Sequence, residues 1–322
     1  MNYSDNALNI LAALTYKGIG KAWIVKNLSG CDSVETVVEL LNQNSKLIET
    51  SLYELKNRKQ RIASMLERLA MSMDGLVALG DPEFPVHRGK VKNSEKPVAL
   101  FYKGDLSLLS SGNKNISVIG VLQPDEYTQE VEKKMVHKLV EKGATIVSGL
   151  ANGCDAIAHQ QTIDSGGKTV AILPSPLHNI LPAGNRGLAD QILRTGGLLV
   201  TEYLNDARSK MVLGGRYQER DRLQALFSDS IILTSSYAKN ELGNDSGSRL
   251  AMEYARQYEI PRAVVYNAMT DSDNPKYDLN RQLMREHEDI LVVSSDEMGE
   301  AINRLFCYEP RLETNAVQSG LF

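Results

Sequence analysis

Hydrophobic and polar positions change rhythm once along this chain. Over residues 7–14, 22–28, 34–41 and 52–71 apolar residues recur three and four apart, with no strand-like run between them. These segments predict a small helical domain over residues 1–75. A breaker cluster, Gly80-Asp-Pro-Glu-Phe-Pro85, follows. Residues 97–102 read as a short extended piece and 110–115 as a turn-rich linker, so 76–115 is taken as an extended lead-in and linker. From residue 116 short β-rich runs alternate with helical stretches. Strands are predicted at 116–120, 144–148, 169–173, 198–201, 230–234, 262–266 and 290–293. Helices are predicted at 127–142, 154–165, 188–194, 217–227, 249–258 and 279–288. Several of the strands are almost wholly apolar, as strands covered on both faces must be. The alternation predicts an α/β fold: a Rossmann-like, doubly wound, mostly parallel sheet over 116–307, and then a flexible tail over 308–322. Ligands of such a sheet bind beyond the C-terminal ends of its strands.

Composition narrows the function classes. A chain of 322 residues with 42% hydrophobic and 24% charged residues has the make-up of a soluble globular protein. Its net charge of −4, +2 over residues 1–100 and −6 over 101–322, excludes a global basic field. Any nucleic-acid binding must then use a local patch. Cys31, Cys154 and Cys307 lie far apart and form no CxxC pair, which suits a reducing cytoplasm. The start does not read as a signal peptide, and no run nears the roughly 18 apolar residues of a membrane span.

Five segments could carry chemistry. In Ser148-Gly-Leu-Ala-Asn-Gly-Cys-Asp155, Gly149 and Gly153 stand at a strand-to-helix turn. Backbone N–H groups and a helix N-terminus there could cradle a phosphate, or the glycines could serve only a tight turn. The loop is neither GxGxxG nor a P-loop, which removes the usual support for hydride transfer or nucleotide triphosphate hydrolysis. Asn185, in Leu181-Pro-Ala-Gly-Asn-Arg-Gly187, can cap the next helix or, with Arg186, touch a ligand. Arg216, Arg220 and Arg222 offer phosphate-matching forks beside Tyr217, or form a solvated face with Glu219 and Asp221. Ser246, Gly247 and Ser248 open a helix, as an anion site or as plain caps. Lys17-Gly-Ile-Gly-Lys21 resembles a helix-hairpin-helix turn. The five histidines show no metal-ligand spacing, and no nucleophile–base pair stands out. No catalytic residue, metal or cofactor is assigned.

Taken in order, these segments resemble the DNA-processing protein A (DprA/Smf) family. The resembling residues are Gly80 to Pro85, Pro97-Val-Ala-Leu-Phe-Tyr-Lys-Gly-Asp105, Val118-Ile-Gly120, Val147 through His159, Leu181 to Asn185, Thr201-Glu-Tyr203, Arg220-Asp-Arg222 and Ser246-Gly-Ser248. The resemblance implies a Rossmann-like domain that binds single-stranded DNA, loads a RecA-type recombinase onto it, as in natural transformation, forms homodimers and has no catalytic turnover. It implies that Ser148, Gly149, Gly153 and Asp155 shape a DNA pocket lined by Asn185, Arg220, Arg222, Ser246 and Ser248. Two departures stand out: the arginine expected after Gly120 is replaced by Val121-Leu122, and the asparagine between the paired arginines is Asp221. The ending Gln318-Ser-Gly-Leu321-Phe322 is similar to peptides that dock on the bacterial sliding clamp. Two other readings stay open: a Rossmann-like nucleotide sensor or nucleotide phosphoribohydrolase, and a DprA-like protein in defence against mobile DNA.

Overall fold

The structure, a computed structural model, describes residues 2–28, 32–44, 49–239 and 247–308. Helices α1 (Asp5–Ala13), α2 (Lys21–Asn27), α3 (Val34–Asn44) and α4 (Leu52–Arg68) form the N-terminal unit at the places the apolar spacing predicts. Ser4 caps α1 by accepting from the Ala7 N–H at 2.9 Å. Strands β1 (Gly75–Ala78) and β2 (Ala99–Gly104) follow, and then the alternating part begins. It runs β3 (Asn115–Ile119), α5 (Glu126–Glu141), β4 (Thr145–Ser148), α6 (Cys154–Asp164), β5 (Thr169–Ile172), α7 (Arg186–Arg194), β6 (Leu198–Thr201) and α8 (Lys210–Leu226). After β7 (Ser230–Leu233) come α9 (Gly247–Gln257), β8 (Arg262–Val265), α10 (Ala268–Asp271), α11 (Asp278–Glu286), β9 (Leu291–Val293) and α12 (Met298–Cys307).

The described strands make one nine-stranded sheet in the order β1-β2-β6-β5-β4-β3-β7-β8-β9. From β6 to β9 every pairing is parallel, as the apolar runs predict. The order reverses at β3: the chain winds outward through β4, β5 and β6, then crosses back to place β7 on the other side of β3. Such a switch point leaves a crevice between loops that diverge to opposite faces.

The expected linker needs correcting. Residues 75–104 add two strands to the same sheet, β1 on β2 and β2 on β6, both antiparallel. Leu76, Val77, Leu100 and Phe101 are buried there, so this stretch is core and not a lead-in outside it. The helical unit shares that core: Ala7, Ile10, Leu41, Leu55 and Leu66 belong to one apolar cluster with Ala99, Phe101, Ala171 and Leu199. The helix expected at 217–227 is longer, beginning at Lys210, where Ser209 accepts from the Val212 N–H at 3.2 Å. Helix α12, which was not expected, buries Met298, Ala301, Ile302 and Leu305. Of the tail expected at 308–322, residues 309–322 lie outside the described residues.

Candidate functional site

A cleft of about 560 Å³ opens at the switch point. Its floor is the end of β3 and the turn after it, from Ile119 to Gln123. The loop after β4 contributes Ala151, Asn152 and Asp155, and the segment after β5 contributes Pro182. Helix α8 supplies Tyr217, Arg220, Asp221 and Gln224; Tyr237 and the start of α9, with Gly247, Ser248 and Ala251, complete the wall.

The glycine-rich loop serves the cleft differently from a phosphate cradle. The Gly149 and Ala151 N–H groups donate to Asp155 Oδ2 at 3.2 and 3.3 Å, so the loop's own carboxylate takes the place an external anion would need. Each glycine has a steric reason. A Cβ at Gly149 would lie 1.0 Å from Arg220 Nη1, because the guanidinium rests on this residue. Gly153 has φ +76°, and a Cβ there would strike the Val121 carbonyl at 2.3 Å. Ser148 is buried and donates to the Val118 carbonyl at 2.7 Å, tying β4 to β3.

The three arginines of α8 go to different places. Arg220 is buried on the cleft wall, 3.6 Å from Asp155 Oδ2 and 3.4 Å from Asp221 Oδ1. Burial pushes the Asp221 carboxyl up to about 7, Arg220 pulling it down and Asp155 pushing it up. Burial also raises Asp155, against Arg220 and the two N–H donors. With its side-chain amide turned so that the nitrogen faces Asp221, Gln224 bridges the site, donating to Asp221 Oδ1 at 3.2 Å and accepting from Gly149 N at 3.0 Å. Arg222, expected beside Arg220, does not reach the cleft. Residues two apart on a helix diverge by roughly 200°, and Arg222 pairs with Glu202 at 2.5 Å instead. Burial opposes the Arg222 charge, yet Glu202 holds its pKa above the ordinary value. Lys21, from the glycine turn of the helical unit, joins them at 3.1 Å from Glu202 and 3.5 Å from Glu219. Arg216 lies over the Tyr203 ring at 4.2 Å and donates to the Asn205 carbonyl at 2.7 Å.

The remaining expected residues divide similarly. Ser248 donates to the Gly120 carbonyl at 3.2 Å and lines the cleft with Gly247. Asn185 stands at the N-terminus of α7 without capping it; its amide donates to the Leu150 carbonyl at 2.8 Å and braces the glycine-rich loop. Arg186 turns away, to the Ile180 carbonyl and Asn179. Ser246, Gln318, Leu321 and Phe322 lie outside the described residues. Sequence reasoning missed Gln224 and Tyr237. Gln224 was open to discovery, one helical turn after Arg220, whereas no local signal marks Tyr237.

Beneath the cleft, Glu132 of α5 is fully buried and its carboxyl is raised well above the ordinary range by burial. Burial, with Glu132 beside it, also pushes the Cys154 thiol well up, which disfavours the nucleophilic thiolate. His159 is buried and pushed down to about 3, a neutral ring whose Nδ1 lies 2.7 Å from Thr169 Oγ1. Among the described residues no three His, Cys, Asp or Glu side chains gather as a metal site. No described helix is long and apolar enough to cross a membrane.

Residues 75–302, which carry the whole sheet and every wall of the cleft, match the family described as DNA recombination-mediator protein A. The chain belongs to that family. The DNA processing protein DprA of Bacillus subtilis is 29% identical over 168 residues, 52% of this chain and 54% of that protein. Protein Smf of Borreliella burgdorferi is 30% identical over 207 residues, 61% of this chain and 62% of that one. The chain thus spans about half to three-fifths of the length of these curated relatives. The X-ray structure of DNA processing protein A from Streptococcus pneumoniae superposes with a TM-score of 0.69 at 21% identity, covering 96% of this chain and all of that one; it shares the fold. DNA processing protein A from Helicobacter pylori, whose structure describes its unique single-stranded DNA binding mode, superposes with a TM-score of 0.54 at 26% identity. That match covers 65% of this chain and 87% of that one.

Proposed function

We propose that this member of the family is a single-stranded-DNA-binding recombination mediator and that the strand enters the switch-point cleft. The observation that carries this reading is the cleft itself: it sits where doubly wound sheets bind ligands, inside the span that defines the family, with tyrosines at two points of its wall. Single strands are held by aromatic faces for the bases and by cations for the backbone. Tyr217 and Tyr237 supply the first, and Arg208 and Lys210, exposed around the N-terminal end of α8 outside the cleft, offer cations for the second. The family resemblance supports the finer parts of the reading. The protein shields a single strand in the cytoplasm during DNA uptake or recombination, passes it to a RecA-type recombinase and works as a homodimer without catalytic turnover. The terminal Gln318, Leu321 and Phe322 supply a sliding-clamp contact, on the strength of their match to clamp-docking peptides.

The test is a titration of labelled single-stranded and duplex oligonucleotides at two salt concentrations, beside a thermal-shift screen of free nucleotides. Tighter binding of the single strand, weakening as salt rises, is the expected result. No binding of any oligonucleotide at low salt, with stabilisation by a free nucleotide, would replace this reading with that of a nucleotide sensor. Removal of residues 318–322 abolishes clamp binding if the terminal motif docks.

A further inference from the structure

The charge inside the cleft does not suit a phosphate. Among its described lining residues the charged side chains are Arg220, Asp155 and Asp221: one cation and two acids. Arg220 already has a carboxylate oxygen on either side, at 3.4 and 3.6 Å. The turn after Gly120 contributes Val121, which is buried, and Leu122, which is exposed at the cleft, so no second cation stands there. A phosphate placed in the cleft would meet a guanidinium already neutralised and a further acid beside it.

Asp221 has the marks of a group waiting for a partner. It is only 5% exposed, and a buried carboxylate is costly unless it is paired and hydrogen-bonded. Its Oδ1 lies 3.4 Å from Arg220 Nε without a hydrogen bond to it, and with the Gln224 amide turned toward it at 3.2 Å it still keeps a lone pair for a further donor. Its Oδ2 accepts no hydrogen bond from any described residue and faces Gly247, where a Cβ would come to 3.2 Å. Arg220 Nε, buried beside it, also has no hydrogen-bond partner among the described residues. A buried, unpartnered Nε beside an open carboxylate oxygen at the wall of a cavity points to a ligand that completes them. The cavity falls within the ordinary range of small-ligand sites, roughly 300–1,000 Å³, at about 560 Å³, and its wall is largely apolar with tyrosines on α8 and after β7.

We infer that this cleft takes a nucleobase of the bound strand rather than its phosphate, and that Asp221 selects guanine. The inference rests on the strand-binding reading above. Guanine alone among the four DNA bases carries two adjacent N–H donors, N1–H and N2–H, on its Watson–Crick edge. A carboxylate accepts both in parallel. Adenine and cytosine place an acceptor beside their amino group, and thymine flanks its single N–H with two carbonyls; each would set an acceptor against Asp221. The O6 of guanine then lies on the side from which Arg220 can donate. A tyrosine face stacks on the ring, as in other single-strand sites. The substitution of acid for amide at position 221, a departure when read only as phosphate binding, becomes the specificity element.

The experiment measures affinity for an oligo-dT strand and for the same strand with one central dG, dI or dA, with free GMP and IMP as competitors. The dG strand binds tighter than the dT and dA strands by roughly five- to 150-fold, the range of a good bidentate base contact, and dI, which lacks the N2 amino group, falls between. In Asp221→Asn and Asp221→Ser the ratio of dG to dT affinity falls toward one, with folding checked by thermal unfolding. Equal binding of dG and dT strands by the unaltered protein overturns the inference, as does a preference that survives both substitutions. If no strand binds, the strand-binding reading fails, and the free nucleotides decide the rest. A GMP-over-IMP preference that depends on Asp221 keeps guanine recognition for a free nucleotide, and its absence overturns it.

Discussion

Arg220 and Arg222 stand two residues apart on one helix, and their surroundings differ in almost every respect. Arg222 is locked: Glu202 pairs with it at 2.5 Å, and Lys21 of the helical unit reaches the same carboxylate. Arg220 is poised: its carboxylate neighbours lie at 3.4 and 3.6 Å, its Nε is unsatisfied among the described residues, and it borders an open cleft. A basic cluster in a sequence is thus no basic patch in space. Helix geometry sends one guanidinium to a buried pair with Glu202, which Lys21 of the helical unit also reaches, and the other to the wall of the cleft.

The largest expected effect breaks the locked side. Arg222→Ala leaves the buried Glu202 side chain with only the partly exposed Lys21 for company, and removing one partner of a buried pair costs about 3–5 kcal/mol. Chemical denaturation measures this; a loss under 1 kcal/mol would mean that the pair is not what joins α8 to its surroundings.

The next effect sharpens the poised side through pH. Asp221 has a folded pKa of about 7, above the roughly 3.9 of an unfolded chain. The folded state therefore keeps a proton that the unfolded state has lost between about pH 4 and pH 7, and this acid lowers stability progressively as pH rises through that window. Asp155 shifts in the same direction. Asp221→Asn removes the Asp221 part, so its melting temperature exceeds that of the unaltered protein by several degrees at pH 8, at about 2–4 °C per kcal/mol for a chain of this class, and the gap narrows at pH 5. A gap that widened at pH 5 would contradict the burial of an ionisable acid here.

Gly149→Ala comes third. Its methyl group would occupy the position of the Arg220 guanidinium, an overpacking worth about 1–3 kcal/mol. Arg220 must move, so strand affinity falls while the Lys21–Glu202–Arg222 cluster stays intact. Unchanged oligonucleotide affinity in this variant would show that Arg220 takes no part in binding. The smallest effect is that of Lys21→Ala. Lys21 is partly solvent-exposed, and the expected loss is at most about 1 kcal/mol, shrinking as salt is added.

Much of the fold was legible because burial on both faces writes itself as uninterrupted apolar runs. β3, β4, β5, β6, β7, β8 and β9 all lie where such runs occur. β2 was legible as the extended piece at 97–102, but β1 and the antiparallel pairing of both were not, because pairing partners distant in sequence leave no local mark; Phe101 faces Thr201, a hundred residues on. The first half of α8 was obscured by Gly214 and Gly215, which disfavour helix locally. Helix α12 could have been read, since Met298, Ala301, Ile302 and Leu305 keep helical spacing. At the site, the glycine-rich loop was legible as a strand-to-helix turn, with a phosphate cradle and a tight turn both open. Its N–H groups could have received an external anion or an internal one, and only the position of Asp155 six residues after Gly149 decides between them.

Helix α8 also sets a mechanical constraint. One face is pinned through Arg222 to Glu202, beside Lys21 of the N-terminal helices, and the opposite face carries Arg220, Asp221 and Gln224 into the cleft. Between these two faces Leu223, Ala225 and Leu226 are buried as well, so this half of α8 is held on every side. A rotation that withdraws Arg222 from Glu202 lifts Arg220 from its seat on Gly149 by the same angle. The seat of Arg220 and the pair of Arg222 are therefore two ends of one lever, and neither side chain can be displaced by a turn of α8 without disturbing the other.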